Sequence, residues 1–210
     1  MTPLHHPTAE TLLAHAAGAL DEAFRAVVAI HAAACPQCRG AVLRAEQLGG
    51  EMLDTLAATA MTGDALARTL ARLDEIVPGA PPPGLPPRGL PAALAGYDIG
   101  PWRGLFPGIA LAGVLPPARG RAGLYLLRLA PGTALADHGH GGREMTVIIE
   151  GAVRDDRGLY GPGDVAERDD AAHHAPVAVG ASPCVCVIAV EGRLRFRHWA
   201  MRLLQPWFGV

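Results

Sequence analysis

The sequence predicts a two-domain α + β chain, with a bundle of about four helices followed by a small β-barrel or sandwich. Residues 7–77 are rich in Ala and Leu and have helical periodicity. Residues 78–91 contain seven prolines, which favour an extended conformation over helix or sheet. From about residue 98 onward, short apolar runs alternate with turn residues. The predicted division is a helical domain at 1–77, a proline-rich linker at 78–97 and a β domain at 98–210.

The helical region divides at local start and stop signals. The first helix covers "TAETLLAHAA" and ends at Gly18. The second begins near Asp21, because acidic groups stabilise a helix N-terminus. The third starts at Pro36 and runs toward the glycine pair at 49–50, with a possible extension through "EMLDTLAATA". The fourth is "DALARTLARLDEIV".

The β region contains the apolar runs "GLYLLRLA", "MTVIIEGAV", "CVCVIAV" and "LRFRHWA". The segments "PGT", "DDRG" and "GPGD" lie between them and have turn chemistry. Many short strands separated by such turns are typical of a sandwich or barrel.

Composition excludes several classes of function. The formal net charge is −2, from 18 basic and 20 acidic residues, and no basic stripe is present. Direct nucleic-acid binding, which needs clustered cations, is therefore not expected. No apolar run approaches the ~20 residues of a membrane span, and the N-terminus lacks the features of a signal peptide. We expect a cytoplasmic protein with no membrane partner, whose paired cysteines bind metal or undergo redox chemistry.

A first metal motif lies at the end of the second helix, in "HAAACPQC". His31 and Cys35 are four residues apart and share one helix face, and Cys38 follows in the first turn of the next helix. The fourth ligand is expected from "LHHP", either His6 or His5. Two thiolates and two imidazoles form a tetrahedral set that is typical of structural zinc. The alternatives are a redox-active CxxC pair and an ordinary buried histidine with two buried cysteines.

A second motif occupies "PGTALADHGHGGREMTVIIEG". The spacing of its histidines, glutamate and glycines resembles the cupin signature, which implies a small jelly roll with a metal inside it. The matching residues are Gly132, His138, His140, Glu144 and Gly151, with His174 or His173 as the later histidine. These ligand types suit Zn, Mn, Fe or Ni and do not choose among them.

Cys184 and Cys186 are two residues apart in "CVCVIAV" and therefore share one face of a strand. Buried apolar packing is the simpler interpretation, and a redox or signal-sensing role is the alternative.

Taken together, the motifs resemble the ChrR family of zinc-binding anti-sigma factors. The resemblance includes "HAAACPQC", "DHGHGGREMTVIIEGAVRDD", "YGPGD", the "CVC" pair and the closing "LLQPWF". It implies zinc held by four helical-domain residues and a second zinc held by four cupin residues. Those residues are His6, His31, Cys35 and Cys38, and His138, His140, Glu144 and His174.

The same resemblance implies a partner and a signal. The helical domain would sequester an extracytoplasmic-function-type sigma factor, and the cupin would release it in response to singlet oxygen or an organic hydroperoxide. An apolar stripe on the fourth helix, formed by Leu66, Leu70, Leu73 and Val77, is a candidate partner surface, although packing against the other helices would also explain it.

We expect no enzymatic activity, because the sequence contains no nucleophile–base pair and no phosphate loop. Two other hypotheses remain open. One is a metal-dependent, dioxygenase-like cupin enzyme with a helical zinc accessory domain. The other is a zinc-stabilised binding module that has no sensory role.

Overall fold

Four helices occupy the N-terminal region of the computed structural model, as predicted. The structure describes residues 2–73, 89–115, 120–170 and 173–192, and the backbone of 194–196. The helices are α1 Ala9–Ala16, α2 Glu22–Ala34, α3 Pro36–Asp54 and α4 Ala65–Leu73.

The helix boundaries follow local chemistry. The Asp21 side chain caps α2 by accepting a hydrogen bond from the Ala23 N–H, at 3.3 Å. Pro36 takes the first position of α3, where its missing N–H costs nothing. The glycines at 49–50 do not end α3, which continues to Asp54. Each glycine costs about 1 kcal/mol relative to alanine inside a helix, which is too little to break one that packs elsewhere along its length.

The rest of the described chain is an antiparallel β-sandwich. The large sheet has the strand order β1-β3-β4-β12-β6-β9, with β2 paired to β3, and two three-stranded sheets have the orders β10-β5-β13 and β11-β7-β8. The strands are β1 Asp98–Ile99, β2 Arg103–Phe106, β3 Ile109–Leu115, β4 Gly123–Leu129, β5 His138–His140, β6 Glu144–Glu150, β7 Ala152–Asp155, β8 Gly158–Tyr160, β9 Val165–Arg168, β10 His173–His174, β11 Val177–Val179, β12 Cys184–Val190 and β13 Leu194–Phe196.

The large sheet is covered on both faces. On one face, α2 packs against β6 and β12, and its Phe24 and Val27 are buried in the same core cluster as Val187. On the other face, Cys184 and Cys186 join a second apolar cluster inside the sandwich. This double coverage explains why "CVCVIAV" is a continuous apolar run rather than an alternating one.

The helical region and the β region therefore share a core. Ala92–Leu94, inside the predicted linker, forms a 3₁₀ helix whose Leu94 is fully buried beside α2. Residues 74–88 lie outside the described part of the chain, so the predicted division into domains stays a prediction.

Within the described residues, no single helix has the length and apolar character of a bilayer span. The helices α2 and α3 meet that criterion only as a pair, and the pair is bent by 119°.

Candidate metal centres

The structure brings the four predicted helical donors together. His6, His31, Cys35 and Cys38 each offer a ligand atom, and these atoms lie within 4.8 Å of one another. The Nδ1 atom of His6 is 3.4 Å from His31 Nε2, 3.5 Å from the Cys35 sulfur and 3.4 Å from the Cys38 sulfur. His31 and the cysteines are buried, and His6 is partly buried. We call these four residues the helical centre.

The distances fit a tetrahedral metal ion. Zinc–nitrogen and zinc–sulfur bonds of about 2.0 and 2.3 Å imply N···N and N···S edges of about 3.3 and 3.5 Å in a regular tetrahedron. The separations measured from His6 Nδ1 match both values. The His31 ring is oriented by its other nitrogen, Nδ1, which donates to the Gly163 carbonyl oxygen at 2.7 Å. Such a hydrogen bond leaves Nε2 free to bind metal.

The protonation states of the helical donors make metal binding dependent on pH. Burial and a hydrogen bond with Cys35 raise the pKa of the Cys38 thiol to about 11. Burial lowers the pKa of His31, so its imidazole is neutral at pH 7. Metal binding at these donors would displace the thiol protons, which couples affinity to pH.

The choice between the two neighbouring histidines, open in the sequence, is made by tertiary contacts. His6 lies in the cluster. The His5 ring instead packs on Tyr160, with centroids 4.3 Å apart, and its Nε2 lies 3.1 Å from the Leu159 carbonyl oxygen.

A second cluster lies inside the sandwich. His138, Glu144 and His174 are all buried, and their ligand atoms lie within 4.8 Å of one another. In the pairing of β5 with β10, His138 is directly opposite His174. The Nδ1–H of His138 donates to the Ala136 carbonyl oxygen at 2.7 Å, which sets the tautomer whose Nε2 carries the lone pair that a metal needs. We call this cluster the cupin centre.

Two further residues were predicted as possible ligands of this cluster. The His140 side chain lies outside the described part of the chain. His173, the alternative to His174, is exposed and is 3.9 Å from Asp137.

Burial controls the charges of the cupin centre. It raises the pKa of Glu144 to about 7, and the nearby Arg168 guanidinium only partly opposes this rise. Burial, together with His138 and Arg168, lowers the pKa of His174 to about 4. The neutral imidazole of His174 is a ready metal ligand, whereas Glu144 must lose its proton before it binds a cation. A bound dication would in turn stabilise the buried carboxylate.

The sequence analysis missed the ion pair next to this centre. Arg168 and Asp155 form a buried salt bridge, and Asp155 Oδ2 is 3.7 Å from His174 Nδ1. The same guanidinium donates to the Tyr160 hydroxyl at 3.2 Å. No spacing in the sequence signals this pair, because the two residues meet only through the fold.

The cysteine pair of β12 is fully buried, with exposures of 0% and 2% for Cys184 and Cys186. Cys186 lines an internal cavity of about 50 Å³ together with His138 and Glu144. The Cys186 thiol donates a hydrogen bond to Cys184, and this bond together with burial raises the pKa of Cys186 well above its ordinary value. A thiol that stays protonated is a weak nucleophile, and a redox role for the pair remains a prediction.

The apolar stripe of α4 is exposed. Leu66, Leu70 and Leu73 are 70%, 52% and 75% exposed, and α4 has no buried residue. Val77, the fourth member of the predicted stripe, lies outside the described residues. Packing against the other helices therefore does not account for the three leucines.

The chain was compared with known proteins. Residues 94–192 match the family model described as the ChrR Cupin-like domain. The chain is 37% identical over 216 aligned residues to the Anti-sigma-E factor ChrR of Cereibacter sphaeroides, and the alignment covers 100% of both sequences.

The structural comparison agrees with the sequence comparison. A chain in the crystal structure of Rhodobacter sphaeroides SigE in complex with the anti-sigma ChrR superposes with a TM-score of 0.77 and 34% identity. The match covers 89% of the present chain and 98% of that chain. With 37% identity over the full length of the Anti-sigma-E factor ChrR and a ChrR Cupin-like domain at residues 94–192, this protein belongs to the ChrR family of anti-sigma factors.

Proposed function

We propose that this protein is an anti-sigma factor that sequesters an extracytoplasmic-function-type sigma factor and frees it under oxidative stress. The observation that carries the proposal is the full-length similarity to the Anti-sigma-E factor ChrR, a regulatory protein rather than an enzyme. The similarity to a chain crystallised with SigE supports the same class of partner.

An exposed apolar surface on α3 and α4 supports partner binding. Large apolar side chains that are at least half exposed continue from the second half of α3 into α4, and they are Leu48, Met52, Leu53, Leu56, Met61, Leu66, Leu70 and Leu73. Fully burying one such side chain contributes about 1.5–3 kcal/mol, so each could contribute about 1–2 kcal/mol from its exposed part. Large apolar side chains exposed in such number along one segment are typical of a protein–protein interface.

We propose zinc as the ion of the helical centre. Two thiolates and two imidazoles in a buried tetrahedron with no position for a substrate are the ligand set of structural zinc. The donors come from the N-terminal segment, the end of α2 and the start of α3. One ion would therefore join three segments, and it would contribute on the order of 10 kcal/mol to folding.

We propose a second divalent ion, also zinc, at the cupin centre, with His140 as the further ligand. This centre would respond to singlet oxygen or an organic hydroperoxide. The adjoining cavity of about 50 Å³ holds one or two water-sized molecules. Organic substrates generally need about 300–1,000 Å³, so the cavity suits singlet oxygen better than an organic hydroperoxide and disfavours a dioxygenase-like enzyme.

Sigma binding can be tested by co-purification and by in vitro transcription. The variant Leu66→Ala/Leu73→Ala should weaken binding by about 2–4 kcal/mol, which is roughly 30- to 1,000-fold. Arg68→Ala is the control, because Arg68 lies on the opposite side of α4. Failure of the unmodified chain to bind or inhibit the sigma factor encoded beside it would reject the proposal.

The sensory role needs a separate test. His174→Ala should retain the sigma factor when hydroperoxide or singlet oxygen is supplied, whereas the unmodified complex should release it. His173→Ala is the matched control, because His173 is the exposed neighbour and should leave release unchanged. Normal release by the His174 variant would show that the cupin centre is not the sensor.

A further inference from the structure

We propose that the turn at Gly163–Asp164, which belongs to the cupin, is the outer support of the helical centre, and that Asp164 is its positioning residue. The inference rests on the proposal that the helical centre holds a metal ion. It assigns to the cupin a direct part in building a site whose four donors all come from the helical region.

Asp164 holds the segment that carries His6. Its Oδ1 accepts hydrogen bonds from the backbone N–H groups of Leu4, at 2.6 Å, and His5, at 2.9 Å. The next residue, Val165, donates its N–H to the His5 carbonyl oxygen at 3.1 Å. Three hydrogen bonds thus hold the backbone immediately before His6. Asp164 is only 4% exposed, so water does not readily replace these bonds.

The same carboxylate also braces its own turn. Its Oδ2 accepts a hydrogen bond from the Gly161 N–H at 2.8 Å. One side chain therefore joins the cupin turn to the N-terminal segment, and loss of its acceptors would loosen both.

Gly163 supports a second donor. Its carbonyl oxygen accepts the hydrogen bond that orients the His31 ring, at 2.7 Å. The residue has φ +88°, and a Cβ atom added there would lie 2.8 Å from Pro3 Cγ. Only glycine fits this contact without strain. The turn at 161–164 therefore supports both imidazole donors. It holds the backbone next to His6, and it orients the ring of His31.

The turn is also tied to the strands of the cupin centre. The Gly163 N–H donates to the Ile148 carbonyl oxygen at 2.8 Å, and the Ile148 N–H donates to the Asp164 carbonyl oxygen at 3.1 Å. Ile148 lies on β6, whose first residue is Glu144. A rearrangement at the cupin centre that shifts β6 would therefore move the support of both histidines of the helical centre.

The test measures how fast the full-length chain loses metal from the helical centre. Cobalt(II) is the probe, because thiolate-to-cobalt charge-transfer absorption reports a Cys-ligated site and is absent from a His/Glu site. The loaded protein is mixed with excess chelator, and the decay of this absorption gives the dissociation rate.

Asp164→Ala should accelerate dissociation by about 10- to 100-fold, which is the usual effect of removing an outer partner of a metal ligand. Asp164→Asn should have a smaller effect, because its amide oxygen can still accept from Leu4 and His5. Gly163→Ala should accelerate dissociation as Asp164→Ala does, because it displaces the carbonyl that orients His31.

Asp21→Ala is the matched control. The Asp21 carboxylate also accepts backbone N–H groups across the helix–sheet boundary, from Arg121 at 2.6 Å and Ala122 at 3.5 Å. It lies ten residues before His31 along α2, which is about 15 Å. If the substitutions only loosened the helix–sheet boundary, Asp164→Ala and Asp21→Ala would both accelerate cobalt dissociation. If Asp164 supports the metal centre, only Asp164→Ala should accelerate it.

The results separate the two proposals. If the unmodified chain shows no thiolate–cobalt absorption, the metal proposal for the helical centre is wrong. If absorption is present but Asp164→Ala releases cobalt at the unmodified rate, or no faster than Asp21→Ala, the positioning role is refuted. If Asp164→Ala does not fold, the cobalt dissociation rates of Asp164→Asn and Gly163→Ala are compared with those of the unmodified chain and Asp21→Ala in the same way.

Discussion

Glu144 should destabilise the metal-free protein at neutral pH, so replacing it with glutamine should stabilise the fold while it abolishes tight metal binding. Glu144 is 4% exposed. Burial raises its pKa from 4.5 to about 7. Because one pKa unit corresponds to about 1.4 kcal/mol, the ionised carboxylate costs the folded state about 3 kcal/mol above pH 7.

The pH dependence has a definite sign. Below pH 4.5 the carboxyl is protonated in both the folded and the unfolded chain, so Glu144→Gln should change the free energy of unfolding little. As the pH rises from 4.5 to 7, the unfolded chain ionises first and the wild-type protein loses stability that the variant keeps. The low pKa of His174 acts in the opposite direction. Its main causes, burial, His138 and Arg168, are present in both proteins, so most of this contribution cancels in the difference.

Urea unfolding of the metal-free proteins at pH 5 and pH 8 measures this difference. Glu144→Gln should be more stable by about 3 kcal/mol at pH 8 and by less than about 1 kcal/mol at pH 5. Glu150→Gln, at the exposed end of the same strand, is the control and should show neither effect. A variant less stable than wild type at pH 8, or a difference that does not change with pH, would refute the reasoning.

Three further predictions follow from the two centres. Cys38→Ser should lower the melting temperature of the zinc-loaded protein but leave that of the chelator-treated, metal-free protein within a few degrees of wild type. An equal fall in melting temperature in both states would argue against a metal role for Cys38. Arg168→Met should cost about 3–5 kcal/mol in urea unfolding because it leaves Asp155 buried without its partner, whereas the exposed Arg154→Met should cost under about 0.5 kcal/mol. Metal affinity at the cupin centre, measured by competition with a chelator, should fall at least about tenfold for each pH unit below about 7, because Glu144 must lose its proton before it binds. His174 adds nothing to this loss, since it stays neutral down to about pH 4. An affinity that is constant between pH 5 and 7 would contradict this.

The predicted cost of Arg168→Met also depends on pH, because its partner Asp155 titrates. Burial by itself would raise the pKa of this carboxyl, but the Arg157 N–H and the Arg168 charge outweigh it and lower the pKa. The stabilisation from Asp155 is therefore present above pH 3.8 and is lost as the pH falls through its lower folded-state pKa. The cost of Arg168→Met should accordingly be largest near neutral pH.

The local sequence pattern was sufficient to predict many of the candidate metal ligands. The four-residue spacing of His31 and Cys35 places both on one helix face, and Pro36 marks the next helix, so Cys38 had to lie nearby. Helix starts and stops, the turns and the β character of the C-terminal half are likewise encoded over a few residues. At the glycine pair 49–50 the local pattern left both a stop and an extension open, and the structure shows the extension, because α3 continues to Asp54.

The amino-acid sequence by itself determined which residue types are available for the two metal centres and that a helical region precedes a β region. Only the tertiary structure decided that His6 rather than His5 enters the helical centre, that Arg168 pairs with Asp155, and that the leucines of α4 stay exposed. The physical reason is distance along the chain. Asp164 and Leu4 are 160 residues apart, and Gly163 and His31 are 132 apart, so these contacts exist only after the helices have packed on the sheet.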